Sequence, residues 1–226
     1  MSAYLAEAEK ADGYRTRCKA SPYNAAARAK DEYEPFFVDQ ATAAALEAFA
    51  TEVQLLHRSR IIILKPSADS GFPHTRPGII CMPSTTCNQE GTFKTLVHEA
   101  IHLHQRAFLR DWKGFCIEEG WTEHQSIPTA YINRVRINPD TMMCPFWSWQ
   151  EHYIPLPLFV DKPTISLKDA DIKWLDRRTG GLTTAPPSFT ARYGNPSQPE
   201  HPFELYAVEM ADKCRTDADV FNIIRR

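Results

Sequence analysis

The chain has 226 residues, 43% of them hydrophobic and 24% charged, with a formal net charge of −2. That length can bury a core of its own, and the near balance of charge argues against a nucleic-acid binder held by a basic surface. No apolar run approaches the roughly 20 residues of a membrane span; the longest, over 61–64, is strand-sized.

The N-terminus shows no basic segment followed by an apolar one, so no secretory signal is expected and the chain reads as soluble and intracellular, without a membrane or nucleic-acid partner. Six cysteines (Cys18, Cys81, Cys87, Cys116, Cys144, Cys214) are scattered without a C-x-x-C pair. Buried, reduced thiols are therefore expected, because free Cys packs as a small hydrophobe.

Residues 1–57 are rich in Ala, Glu and Lys and predict helices over 2–20 and 42–57. Ser21-Pro22 and Glu34-Pro35 punctuate them, since the residue before proline leaves the helical region. A β-branched strand is expected over 60–65, a loop over 66–77, and a second strand over 78–82. Residues 92–109 form the clearest helix: Phe93, Val97, Ile101 and Phe108 recur at spacings of four and seven, widened by Leu96, Ala100 and Leu103. Another helix is expected to begin near Ile117.

The texture changes after Ile127, with eleven of the seventeen prolines between Pro128 and Pro202. Region 128–201 predicts irregular β structure and loops, with any strand through Pro155 and Pro157 at a sheet edge. A last helix is expected over 202–226, opened by proline in its first turn.

The chemistry lies in His98-Glu99-Ala100-Ile101-His102. Residues four apart on a helix differ by about 40° and roughly 6 Å along the axis, so His98 and His102 can reach one metal ion. Glu99 flanks the same opening and can polarise a metal-bound water, which is the physical content of H-E-x-x-H. Zinc suits imidazole nitrogen, and a catalytic site keeps a position for water beside three protein ligands.

The third ligand must come from elsewhere. Glu118-Glu119-Gly120-Trp121-Thr122-Glu123 follows after sixteen residues, enough to finish one helix and return on a second. On that second helix Glu119 and Glu123 would share a face, one ligating and the other orienting a histidine.

H-E-x-x-H, a gap of sixteen, then E-G-x-x-E resembles the gluzincin metallopeptidases, the thermolysin-like and aminopeptidase-like zinc enzymes. The resemblance covers residues 98–123. It implies Glu119 as third ligand, an acidic Glu123 supporting the site, and a strand over 78–82 at the sheet edge to pair with an extended substrate. A second resemblance competes: His201-Pro202-Phe203-Glu204, with Ala207, looks like the N-P-x-E-x-x-A helix openings of other H-E-x-x-H proteins, including lethal-factor-like peptidases. There the glutamate matching Glu204 binds zinc. With a gap of sixteen residues rather than roughly a hundred, Glu119 is expected ahead of it as the third ligand, and Glu204 as an alternative or supporting residue.

The transition-state donor of the gluzincins has no clear match. Tyr206 and His201 are candidates, with Tyr131 and Tyr153 behind them. His104 points away from His102, and His74, His124 and His152 read as surface or loop residues. Arg134, Arg136, Asn138 and Asp140 read as a polar turn, and Trp147 and Trp149 as packing.

The expected fold is α+β and zincin-like: a small mixed sheet on the active-site helix, with helices over 1–57, sheet and site over 58–127, a Pro-rich region over 128–201 and a closing helix. The expected function is hydrolysis of a peptide or protein substrate with one zinc ion per chain and Glu99 as general base. The alternative is a non-enzymatic interaction protein whose zinc site is structural or vestigial.

Overall fold

The computed structural model describes residues 2–225. Among them the chain forms a mixed α+β structure of ten α-helices and two small sheets. All six cysteines are buried and unpaired, and among the described residues no helix is long and apolar enough to cross a membrane.

The N-terminal helix expected over 2–20 is two helices, α1 (Ala3–Asp12) and α2 (Tyr14–Ala20). Gly13 lies between them at φ +62°, its N–H bonded to the Glu9 carbonyl, a left-handed cap that glycine adopts at little cost. Helix α3 (Pro22–Ala27) follows, then α4 (Gln40–Glu52), where the Asp39 carboxylate accepts from the Thr42 N–H. Helix α4 ends five residues before the expected boundary because Val53 turns extended.

Strands β1 (Arg60–Leu64), β2 (His74–Arg76) and β3 (Ile79–Pro83) form the first sheet in the order β1-β3-β2. Strand β3 runs parallel to β1 and antiparallel to β2, so the strand expected at an edge is central. The edge strand β2 lies inside the predicted loop: three residues between Pro73 and Pro77 carry too little apolar alternation to be read as a strand.

Helix α5 (Thr92–Ala107) packs on β2 and β3 through Leu96, Val97, Ala100 and Ile101, each 1% exposed or less. Burying each of the larger of these side chains stabilises the fold by roughly 1.5–3 kcal/mol, which fixes the face that carries the histidines. The chain breaks at Phe108 and continues as α6 (Leu109–Glu118). The helix expected to begin near Ile117 is thus the end of α6. Gly120, at φ +94°, turns the chain into strand β4 (Trp121–His124).

After the short α7 (Thr129–Ile132), strands β5 (Phe146–Trp149), β6 (Tyr153–Phe159), β7 (Ala170–Asp176) and β8 (Gly181–Thr183) complete a second sheet in the order β4-β5-β6-β7-β8. Strand β6 therefore lies inside the sheet despite its two prolines. Strand β5 reaches it only at Tyr153, however. Beyond that point the 134–136 segment runs alongside, with the Arg136 N–H donating to the Pro157 carbonyl. On that side no ladder bond asks Pro155 or Pro157 for an N–H.

Helix α8 (Pro187–Tyr193) covers β4 and β5 through Phe189, against Trp121 and Trp149. The closing helix is two: α9 (Pro202–Met210), buried on nearly every side against α5, and α10 (Asp217–Ile224), started afresh by a capping box between Thr216 and Asp219. One core cluster joins both sheets, α5 and α9, with Trp112, Trp147, Phe203 and Ala207 among its members.

Candidate metal centre

Helices α5 and α9 build the site together. On α5 the four-residue spacing brings His98 and His102 side by side, Nε2 to Nε2 at 3.0 Å. On α9 the imidazole of His201 caps the helix, Nδ1 accepting from the Phe203 N–H at 3.0 Å, and Pro202 opens the first turn. Glu204 then sits one turn in, its Oε2 3.2 Å from His102 Nε2 and 3.3 Å from His98 Nε2. The three residues form a group able to hold a metal ion, their ligand atoms all within 4.8 Å of one another.

The spacing fits such an ion. Tetrahedral zinc with bonds of about 2.0–2.1 Å separates neighbouring ligand atoms by roughly 3.3–3.4 Å. Here the three separations run from 3.0 to 3.3 Å.

Two amides hold the ligands in place. Gln105 accepts from His102 Nδ1–H at 2.7 Å, and its own Nε2 donates to the Phe203 carbonyl at 2.9 Å, which fixes which end of the amide faces the imidazole. His102 is thereby held with its proton on Nδ1 and Nε2 directed at the group. Asn138 Nδ2 donates to Glu204 Oε1 at 2.5 Å, leaving Oε2 toward the histidines. Such partners commonly tune a metal site as much as its ligands do.

Glu99 is 3% exposed, lines the same cavity, and carries a buried Oε2 with no hydrogen-bond partner. Burial pushes its carboxyl well above the ordinary range, and the negative charges of Asp140 and Glu204 add to this against the opposing His102. Glu204 is held well below its ordinary value: burial works against it, but His102 and His98 prevail. An orphaned carboxylate oxygen beside a two-imidazole, one-carboxylate group is a cation-seeking arrangement, since a divalent charge lowers the cost of ionising Glu99.

The site opens into a cavity of about 730 Å³ between α5, α9, the 136–140 segment and the N-terminal helices. In its wall Asp69, at φ +44°, accepts from Tyr14 Oη and Arg28 Nε, both at 2.8 Å, and stands 3.3 Å from His74 Nε2. His74, expected as a surface or loop residue, lies on β2 and is 2% exposed.

The structure does not bring Glu119 to the histidines. It caps the end of α6, and its carboxylate accepts from Arg192 at 2.6 Å and from Tyr206 Oη at 3.4 Å. Glu123 shares no helical face with it, because Gly120 places it on β4, where it pairs with Lys113.

The two candidate transition-state donors are also engaged elsewhere. Tyr206 Oη bonds Tyr193 Oη at 2.9 Å, and His201 Nε2 donates to the Cys144 carbonyl at 2.8 Å. Neither lines the cavity, nor do Tyr131 and Tyr153. His104 faces away, accepting from the Trp112 indole N–H at 3.0 Å.

Sequence reasoning missed Asn138, Asp140 and Gln105. Asn138 and Asp140 were read as turn residues, and Gln105, three positions after His102 on the same helix, gave a signal that spacing alone could have raised. Comparisons with protein-family models, with curated proteins and with solved structures find no match to this chain.

Proposed function

We propose that the protein is a metal-dependent hydrolase acting on peptide or related amide bonds, with zinc held by His98, His102 and Glu204. The observation that carries this reading is the convergence of those three side chains, from two helices, at the wall of a cavity lined by His98, Glu204 and Glu99, the last with an orphaned carboxylate oxygen. The likeness to zincins and an intracellular setting belong to the same proposal.

When bound, an ion of this type supplies Lewis acidity toward a carbonyl oxygen and acidifies water. The chain's own residues do the rest. Glu99 Oε2 accepts a proton from the attacking water and passes it to the departing amine. Gln105 and Asn138 keep His102 and Glu204 in the ligating orientation. A closed structural site would need a fourth protein ligand; the group holds three, which supports the hydrolase over the structural reading.

Glu99→Gln tests the proposal: it is expected to keep zinc and lose amide hydrolysis by roughly 100-fold or more, whereas His98→Ala loses both. Full activity in Glu99→Gln would remove the glutamate from the chemistry.

A further inference from the structure

Resting on the hydrolase reading, the geometry points to the class of substrate: a short, polar amide, a di- or tripeptide or an N-acylated amino acid, taken whole into the cavity, rather than a stretch of polypeptide added as a strand. A peptide bound by strand addition needs free N–H and C=O groups along an exposed sheet edge. Strand β2 is the edge nearest the site, and it offers none of the donors.

Along an antiparallel strand, residues alternate between facing the partner and facing away. The Thr75 N–H donates to Asp140 Oδ1 at 2.6 Å, and its carbonyl accepts from Arg106 Nη2 at 3.4 Å. Both groups therefore point away from β3, and both are taken. The next outward positions in either direction are 73 and 77, each a proline with no N–H to give. Asp140 is itself 5% exposed and held by the Thr75 hydroxyl at 2.6 Å, so the cap is part of the fold.

The other strands give no alternative. Strand β3 is paired on both sides. Strand β1 and the whole five-stranded sheet lie outside the cavity wall, and the outward carbonyl of Ile63 on β1 already accepts from the Phe36 N–H at 2.9 Å.

What remains is a cavity of about 730 Å³, inside the roughly 300–1,000 Å³ range of small-molecule sites. Its walls are mixed, with Phe72, Ile137, Leu167 and Val208 among charged side chains. Arg136 and Glu200 meet there at 2.8 Å, the guanidinium 19% and the carboxylate 8% exposed, and Glu200 stands in the field of Glu204. A partly buried pair of opposite charges in the same lining as His98 and Glu204 suits a substrate carrying its own ammonium or carboxylate next to the scissile amide. Hydrolysis there adds water across the C–N bond: the acyl carbon takes the hydroxyl, and nitrogen leaves as the amine with the proton Glu99 returns.

The test offers the full chain, reconstituted with zinc, two sets of substrates: N-acetyl amino acids with di- and tripeptides, and unfolded casein with long synthetic peptides. Products are read by mass spectrometry, and amide exchange at Thr75 is followed with and without a long peptide. Expected are cleavage of at least one short substrate ~100-fold faster than any long one, and a Thr75 amide already protected in the free protein and unchanged by the peptide. Internal cleavage of casein at a comparable rate, or a Thr75 amide that gains protection on peptide addition, would overturn the substrate class and leave the hydrolase standing. Cleavage of neither set by zinc-loaded protein would overturn the hydrolase and the substrate class together.

Discussion

Replacing Gln105 with leucine removes the acceptor that keeps the His102 proton on Nδ1. Gln105 has no exposed surface; it bonds His102 at 2.7 Å within α5, and its 2.9 Å bond to the Phe203 carbonyl joins α5 to α9 beside the site. Leucine nearly conserves the volume but leaves an imidazole N–H buried without a partner and takes from the Phe203 carbonyl its bond across to α5, leaving the helical one within α9. At about 1–3 kcal/mol for the stranded group and roughly 0.5–1.5 kcal/mol for the lost bond, less the saving from no longer burying an amide, a loss of about 2 kcal/mol in chemical denaturation is expected. Zinc affinity, measured by competition with a chromophoric chelator, is expected to fall by roughly 10–100-fold as His102 loses its fixed tautomer. Gln105→Glu restores the acceptor at His102 but not the donor to Phe203, so it should recover zinc affinity more fully than stability. Zinc affinity in Gln105→Leu within threefold of wild type would refute the orienting role, whatever the stability did.

Gly120→Ala is expected to destabilise by about 1–3 kcal/mol in thermal or urea unfolding. Gly120 sits at φ +94°, and an added Cβ would meet the Trp149 ring at 3.4 Å; an unchanged midpoint would mean the turn into β4 relaxes freely. The charge cluster at the cavity wall sets both ends of the pH–stability profile. The Asp69 carboxyl is buried, which alone would raise it, but His74, Arg28 and Arg15 hold it below its ordinary 3.8, so its contribution is present above that value and lost as pH falls through the folded one. Burial would lower His74, but its polar neighbours, with the Asp69 carboxylate 3.3 Å away, raise it from 6.5 to about 10, so its contribution is complete below 6.5 and is lost as pH rises toward 10. Melting temperature should therefore fall on both sides, and Asp69→Asn should flatten both limbs; an Asp69→Asn profile parallel to wild type would rule the cluster out as their source.

What was legible in the sequence was what a single helix determines. His98 and His102 meet because a helix repeats every 3.6 residues, and the apolar stripe of Leu96, Val97, Ala100 and Ile101 fixes the helix that carries them. The third member of the group depends on which helix crosses α5, and spacing does not encode that. The E-G-x-x-E stretch has the spacing of one helical face, but the left-handed backbone of Gly120 ends the helix and sends Trp121 and Glu123 into a strand. The His201-Pro202 opening did carry a local signal, since proline in the first turn and a side-chain cap pin where α9 begins and hence where Glu204 points. Asn138, Asp140 and the capped edge at Thr75 were not readable, because each matters only through partners 65 or 66 residues away.

The central claim concerns which side chains hold the metal, and zinc content by mass spectrometry of wild type, Glu204→Ala and Glu119→Ala tests it directly, with circular dichroism confirming that each variant is folded. Near one zinc per chain is expected in wild type and in Glu119→Ala, and little in Glu204→Ala. Zinc kept by Glu204→Ala and lost from Glu119→Ala, or absent from wild type after reconstitution, would contradict it.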